Sequence, residues 1–321
     1  LLYDIHKREF KLNKKRNKII FLIVIIIAFL SLCIWYLSKL NFEVLNPKGT
    51  IALQERNLIY FALLLSLFVV VPVFTMLIFF GYKYRENNPK KVEYKPDWDK
   101  NGLLEFSWWF FPAVLITILG VIAWQTSHSL NPFRPIDSKI QPVRVDVISL
   151  QWRWLFIYPA FNTASINYLA LPVNTPIDFH LTSDAPMNSF WIPQLSGQIY
   201  TMPGMATQLH IVATSDGNYR GLSANISGTG FSRMSFVAAV RSKLGFLDLM
   251  HQMSQSSHKL DYVSFLSLAK PSLNTKVQYF SDVNPAIYDQ LIMSYMNTHQ
   301  QNLSPKKIAV KPKSNLMMRM S

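Results

Sequence analysis

Three uncharged apolar runs constrain this chain more than any other feature. Residues 19–37 read IIFLIVIIIAFLSLCIWYL, residues 58–81 read LIYFALLLSLFVVVPVFTMLIFFG, and residues 106–124 read FSWWFFPAVLITILGVIAW. Each approaches the ~20 apolar residues needed to cross a bilayer as a helix. Core helices of soluble proteins rarely run this long without charge, so the runs predict membrane spans. Pro72 and Pro112 are compatible with that, because neighbouring groups can satisfy the carbonyls they free. Tyr60, Tyr82, Trp108, Trp109 and Trp124 sit near the ends, where amphipathic rings favour the interface.

The basic residues set an orientation. Lys and Arg crowd the arm before residue 19, and Lys83, Arg85, Lys90, Lys91, Lys95 and Lys100 fill residues 82–105. Residues 38–57 hold only Lys39, Lys48 and Arg56. The N-terminus and the 82–105 loop are therefore expected in the cytoplasm, and everything after residue 125 outside. This clustering beside apolar runs also accounts for the net charge of +14 without nucleic acid. The first run could instead be a cleaved signal peptide. Its length, and the lack of a clean small-x-small site, favour a retained anchor.

Beyond residue 130 the pattern changes to short strands. PVRVDVISLQWRWLFIY, PIDFHLTS, ATQLHIVAT and MSFVAAV are rich in Val, Ile and aromatics, separated by LPVNTP, SDAPMN, TSDGNY and SGTG. That spacing predicts an antiparallel sandwich or barrel over 130–240. Residues 241–300 show helical spacing in LGFLDLMHQMSQ, DYVSFLSLAK and PAIYDQLIMSYMNTH, so a small helical annex is expected there. Residues 301–321 read as a disordered basic tail. Its Met317, Met318 and Met320 are soft enough for Cu(I), but a tail without fixed partners makes a poor site.

Candidate chemistry is sparse. His180 and His210 fall singly in expected strands and read as hydrogen-bonded structural histidines. Trp152 and Trp154 fit alternate positions of one strand face, which is core packing. Glu105, at the start of the third run, suits a helix N-terminus electrostatically. An acid at the mouth of a membrane helix can also load protons into a relay. The stretch YRGLSANISGTGFSRM, residues 219–234, has the shape of a metal loop with no Cys, His or carboxylate in it. Cys33 is the only cysteine of the chain, which excludes an intrachain disulfide and any site with two thiolates.

Taken in order, NPKGTIALQERNLI, SLQWRWLFIYP, MNSFWIP, QIYTMPGM and GFSRMSF resemble subunit II of the haem-copper respiratory oxidases, nearest the quinol-oxidising bo-type branch. The likeness runs from about residue 41 to 300. It implies a transmembrane α-helical hairpin (41–129, helices about 58–81 and 106–124), preceded by an N-terminal signal or anchor helix (1–40). An external all-β cupredoxin-like sandwich (130–240) and the helical annex follow. In the cytochrome c branch the corresponding loop binds two coppers through two bridging thiolates, two imidazoles, a thioether and a glutamate carbonyl. Here the thiolate positions are Ser223 and Ser227, the glutamate position is Asn225, and the histidine positions are Phe231 and Asn188. Only Met234 still matches.

The resemblance therefore implies a subunit without copper or any other cofactor of its own. Its partners would be subunits I, III and IV of an inner-membrane oxidase, with haems and copper in subunit I. Quinol, not cytochrome c, would be the electron donor. Trp152 matches a tryptophan on the electron path of the cytochrome c branch and would be structural here. Glu105 matches an acid at a cytoplasmic proton inlet. The branch usually carries a lipidated cysteine just before the NPKG-like stretch. This chain has Leu37, Ser38, Lys39 and Leu40 there, with Leu at the cysteine position, which favours an unlipidated helix. The alternatives are a membrane-tethered binding or assembly factor that borrows the cupredoxin shell, and a copper-bearing cytochrome c oxidase subunit.

Overall fold

The computed structural model describes residues 28, 31–32, 35–36, 39, 42–85, 99–273 and 276–303. Most of the first apolar run, the stretch 86–98 and the tail 304–321 lie outside the described residues, and so do the expectations placed on them. The chain divides into two units, Leu1–Asn46 and Pro47–Ser321. In the first, the described residues between 28 and 39 are helical, and Glu43–Leu45 forms a 3-10 turn.

The second unit opens with two long helices, α1 (Thr50–Lys83) and α2 (Gly102–Ser129). Both are long and apolar enough to cross a membrane. Each outruns the apolar stretch that announced it. Gln54, Glu55 and Arg56 favour helix as strongly as the apolar residues after them, so hydropathy marks only the lipid-facing part of α1. The hydroxyls of Ser66, Thr75, Ser107, Thr117 and Thr126 each donate to the carbonyl four residues earlier. That satisfies them inside a helix surrounded by hydrocarbon. Ala52 is the buried residue of α1, and beyond the first turns of α1, which pack on the sandwich, the flanks of both helices are largely exposed.

The β-domain follows as β1 (Val143–Leu150), β2 (Arg153–Tyr158), β3 (Thr163–Ile166), β4 (Tyr168–Pro172), β5 (Pro176–Ser183), β6 (Asn188–Trp191), β7 (Ile199–Thr201), β8 (Thr207–Val212), β9 (Gly217–Ser223) and β10 (Ser235–Arg241). The annex adds α3 (Lys243–Ser254), β11 (Lys259–Leu260), α4 (Tyr262–Leu268), β12 (Gln278–Val283) and α5 (Ile287–Leu303). Among the described residues these make one sheet ordered β11-β12-β3-β2-β1-β5-β8 and a second ordered β4-β10-β9-β6-β7. The fold is thus a cupredoxin-like β-sandwich behind two apolar helices, with a small helical C-terminal part.

Strand alternation explains the layering. Val145 and Val147 of β1, Ile177, Phe179 and Leu181 of β5, and Leu209 and Ile211 of β8 face the second sheet. There Phe190 and Phe236 stack at 5.3 Å and Trp154 meets Phe190 edge-on at 5.3 Å. On the opposite face Ile148, Leu150, Leu155, Ile157 and Ile166 are covered by Leu260, Phe265, Phe280, Ile287 and Leu291 of the annex. The first sheet is therefore buried on both sides. The annex is also less purely helical than its sequence suggests. Phe280 of β12 pairs antiparallel with Ala164 of β3, so the annex completes the sheet it covers. QYFSDV is too short for its alternation to stand out beside three helical patterns.

The start of α1 is joined tightly to the sandwich. The Lys48 N–H donates to the Gln194 carbonyl at 2.6 Å, and Thr214 donates its N–H and its hydroxyl to the Lys48 carbonyl at 2.8 and 2.9 Å. Gly49 bridges to Ala213, and a Cβ on Gly49 would strike the backbone of Leu195. Glu55 accepts the Gly197 N–H. In contrast, among the described residues the 130–142 link from α2 to β1 is shaped by local hydrogen bonds at Phe133, Arg134 and Ile140.

Candidate functional site

Ser223 ends β9, Met234 precedes β10, and residues 224–233 connect these antiparallel neighbours. The loop is held at its base by backbone. The Ser223 N–H donates to the Met234 carbonyl at 3.1 Å, and the Ala224 N–H donates to Ser189 at 2.9 Å. A 3-10 turn, Phe231–Arg233, returns the chain.

Of the six positions singled out in sequence, the structure brings three together. The Ser223 hydroxyl, buried, faces Asn188 Oδ1 at 3.1 Å and the Asn225 carbonyl at 3.2 Å. The Asn188 amide donates to Pro186 and the Asn225 amide to Met187, both at 2.8 Å. Met234 belongs to the sandwich core, and Phe231 is half-buried on the 3-10 turn. Ser227 contributes its carbonyl to another partner, while its hydroxyl is buried without a hydrogen bond.

These donors fit a pair of coppers poorly. A mixed-valence pair needs soft, anionic bridges. Here the bridge positions offer neutral hydroxyls, one already engaged with Asn188. Both amides are spent on backbone carbonyls. A lone Ser227 hydroxyl and a core thioether leave too few ligands.

The partner of Ser227 is Trp152, whose indole N–H donates to its carbonyl at 3.2 Å. Trp152 does not share a strand face with Trp154. Leu150 pairs with Arg153, so Gln151 and Trp152 form the tip of the β1–β2 hairpin. Trp152 adopts φ +72°, a left-handed conformation that costs a non-glycine residue about 1–2 kcal/mol. Its ring packs against the loop's glycines, since a Cβ on Gly230 would fall onto the indole and one on Gly228 would sit 3.3 Å from it. Trp154, by comparison, is fully buried in the core as expected. Sequence alternation missed the hairpin because Trp152 occupies a position where Gly or Asn would have marked the turn.

Two further groups emerge only in three dimensions. Asp178 lies between His180, at 3.1 Å, and His210, at 3.4 Å, on the annex side of the first sheet. These structural histidines thus share one carboxylate across β5 and β8. Beside them Arg144 pairs with Asp146 at 2.8 Å. Burial pushes the Asp146 carboxyl up and Arg144 pulls it back. Near the loop end, the Tyr295 hydroxyl donates to Asp184 at 2.8 Å. Its pKa is pushed up to about 12, by burial first and then by that carboxylate.

Glu105 lies in the first turn of α2. Asn101 caps the helix by accepting the Leu104 N–H at 3.1 Å, and Glu105 Oε1 reaches back to the Asn101 N–H at 3.4 Å. That is a capping arrangement close to a capping box, whatever else the carboxylate does.

A cupredoxin-like sandwich behind two apolar helices, its β9–β10 loop lined by Ser and Asn, defines a narrow class of protein. Residues 164–241 match the family described as cytochrome c oxidase subunit II, periplasmic domain, and residues 255–299 match the COX aromatic rich motif. The cytochrome bo(3) ubiquinol oxidase subunit 2 of Pseudomonas aeruginosa is 44% identical over 81% of this chain and 78% of its own length. The protein of the same name from Pseudomonas putida is 42% identical over 84% and 85%. That from Buchnera aphidicola subsp. Baizongia pistaciae is 40% identical over 82% and 93%. The chain belongs to the subunit II family of the haem-copper oxidases, in its ubiquinol oxidase branch.

Proposed function

We propose that this chain is the copper-free subunit II of a quinol-oxidising, proton-translocating terminal oxidase in a bacterial inner membrane. The whole complex converts two quinols and O2 into two quinones and two waters. Electrons pass from quinol to haems and copper in subunit I, and this chain carries no cofactor. It braces subunit I through the hairpin, in an assembly with subunits III and IV. Its sandwich faces the periplasm, and the N-terminus lies in the cytoplasm. The observation that carries the reading is the hydrogen bonding of Ser223 and Asn188, which occupies the positions a copper pair would need.

Glu105 supplies protons from the cytoplasmic side in this reading. Its capping contact separates two roles experimentally. Glu105→Gln keeps an acceptor for the Asn101 N–H but cannot release a proton, so turnover should fall severalfold while assembly stays intact. Normal turnover and pumping in this variant would remove the proton role.

The complex purified in mild detergent tests the main claim. It should oxidise quinol and leave reduced cytochrome c untouched. Its copper should equal that of subunit I alone. Rapid cytochrome c oxidation would overturn the proposal.

A further inference from the structure

The hairpin tip that carries Trp152 is gripped from two directions. On one side is the loop: Ser227 accepts the indole N–H, and Gly228 and Gly230 lie against the ring. On the other side is the annex. The Ser272 N–H donates to the Gln151 carbonyl at 3.3 Å. Arg153, only 7% exposed, sends its guanidinium to the carbonyls of Leu268 and Lys270. Leu268 is the last residue of α4, so Arg153 serves as the cation at that helix's C-terminus, where free carbonyls and the dipole both favour it. No acidic side chain pairs with Arg153 among the described residues. Annex backbone meets one of its terminal nitrogens, while its Nε is buried without a hydrogen bond.

A left-handed Trp persists only where its surroundings over-determine it. Here the loop holds the Trp152 ring, and the annex holds its two neighbours, Gln151 and Arg153. We propose that the annex does for this loop what a metal does elsewhere: through Arg153 and the Gln151–Trp152 tip it fixes the shape of residues 224–233. Arg153 is then a positioning residue, acting on the loop through Trp152. The loop presents Ile226 at 80% exposure, so the annex also governs how this side chain is displayed. The inference rests on the copper-free reading of the loop.

Hydrogen exchange on the intact purified complex tests it. Arg153→Met should speed exchange of the amides in 224–233 at least tenfold, and should speed tryptic cleavage after Arg233, which is already at the surface. Arg153→Lys, which keeps a cation for the α4 carbonyls, should restore most of the protection. Ser272→Pro removes one annex N–H at the surface and should loosen the same segment more mildly. Wild-type exchange in 224–233 for both Arg153→Met and Ser272→Pro, with α4 alone loosened, would overturn the brace. Should Arg153→Met not assemble, Ser272→Pro with an unchanged loop overturns it by itself. Copper in excess of subunit I would instead sink the copper-free reading on which the inference stands.

Discussion

The sandwich meets the membrane hairpin twice, and the two meetings differ in kind. Where α1 begins, Lys48, Gly49 and Ala52 are pinned to the 192–197 loop and to the end of β8 by backbone hydrogen bonds and close packing. Where α2 ends, residues 130–142 run on with Phe133 and Ile140 exposed and, among the described residues, local turns to shape them. A chain anchored by two helices needs just one rigid joint to hold its outer domain. A second would over-constrain it, because small changes in helix packing would strain the sandwich. The stiff joint is also the one whose residues cannot be exchanged freely.

That contrast can be broken most forcefully at Gly49. Gly49→Val drives a side chain into the Leu195 carbonyl, and overpacking of this sort costs roughly 1–3 kcal/mol or more. The thermal midpoint of the purified complex should fall, and recovered complex should drop. Glu55→Ala comes next. It leaves the half-buried Gly197 N–H without its carboxylate acceptor, a loss of about 1.5–3 kcal/mol for a hydrogen bond to a charged group, readable as faster exchange of that amide. Thr214→Val removes only the hydroxyl bond to Lys48 and keeps the N–H bond. A change of about 0.5–1.5 kcal/mol is expected in denaturant unfolding. The smallest effect should follow insertion of four Gly/Ser residues between Asp137 and Ser138. Lengthening a flexible link costs well under ~1 kcal/mol, so stability and quinol oxidation should remain near wild type. A large loss there would show that the second link is also a joint.

Much of the fold was legible because its signals are periodic. The uncharged runs marked α1 and α2, and alternation marked β1, β2, β5, β8 and β10. Helical spacing marked α3, α4 and α5. The parts that escaped are those in which long-range contact overrides local pattern. Trp152 looks like a strand residue until Leu150 and Arg153 pair around it. β12 becomes a strand only because β3 offers an edge. The sequence named the candidate site through the resemblance, which puts Ser223 and Ser227 at thiolate positions. That the vacancies are filled by Asn188, Met187 and Pro186, from a different strand and its approach, could not be read from residues 219–234 alone. NPKG was visible as a motif, but the purpose of its glycine depends on Leu195, far along the chain.

The rigid joint has a mechanical consequence. From Thr50 to Asn57, α1 rises about 12 Å before its apolar part begins, at ~1.5 Å per residue, whereas the headgroup layer on each side is only roughly 5–8 Å deep. The 192–197 loop packs along this stretch at Ala52 and Glu55, so the sandwich rests against the base of the helix. The apolar part from Leu58 to Gly81 is about 36 Å long and exceeds the ~30 Å of hydrocarbon, a mismatch that helix tilt relieves. Whatever angle it takes, the platform above takes too: a lean of a few degrees sweeps the far end of a domain roughly 35 Å across through several ångströms. Bilayer thickness thereby becomes a dial on where the distal loops point.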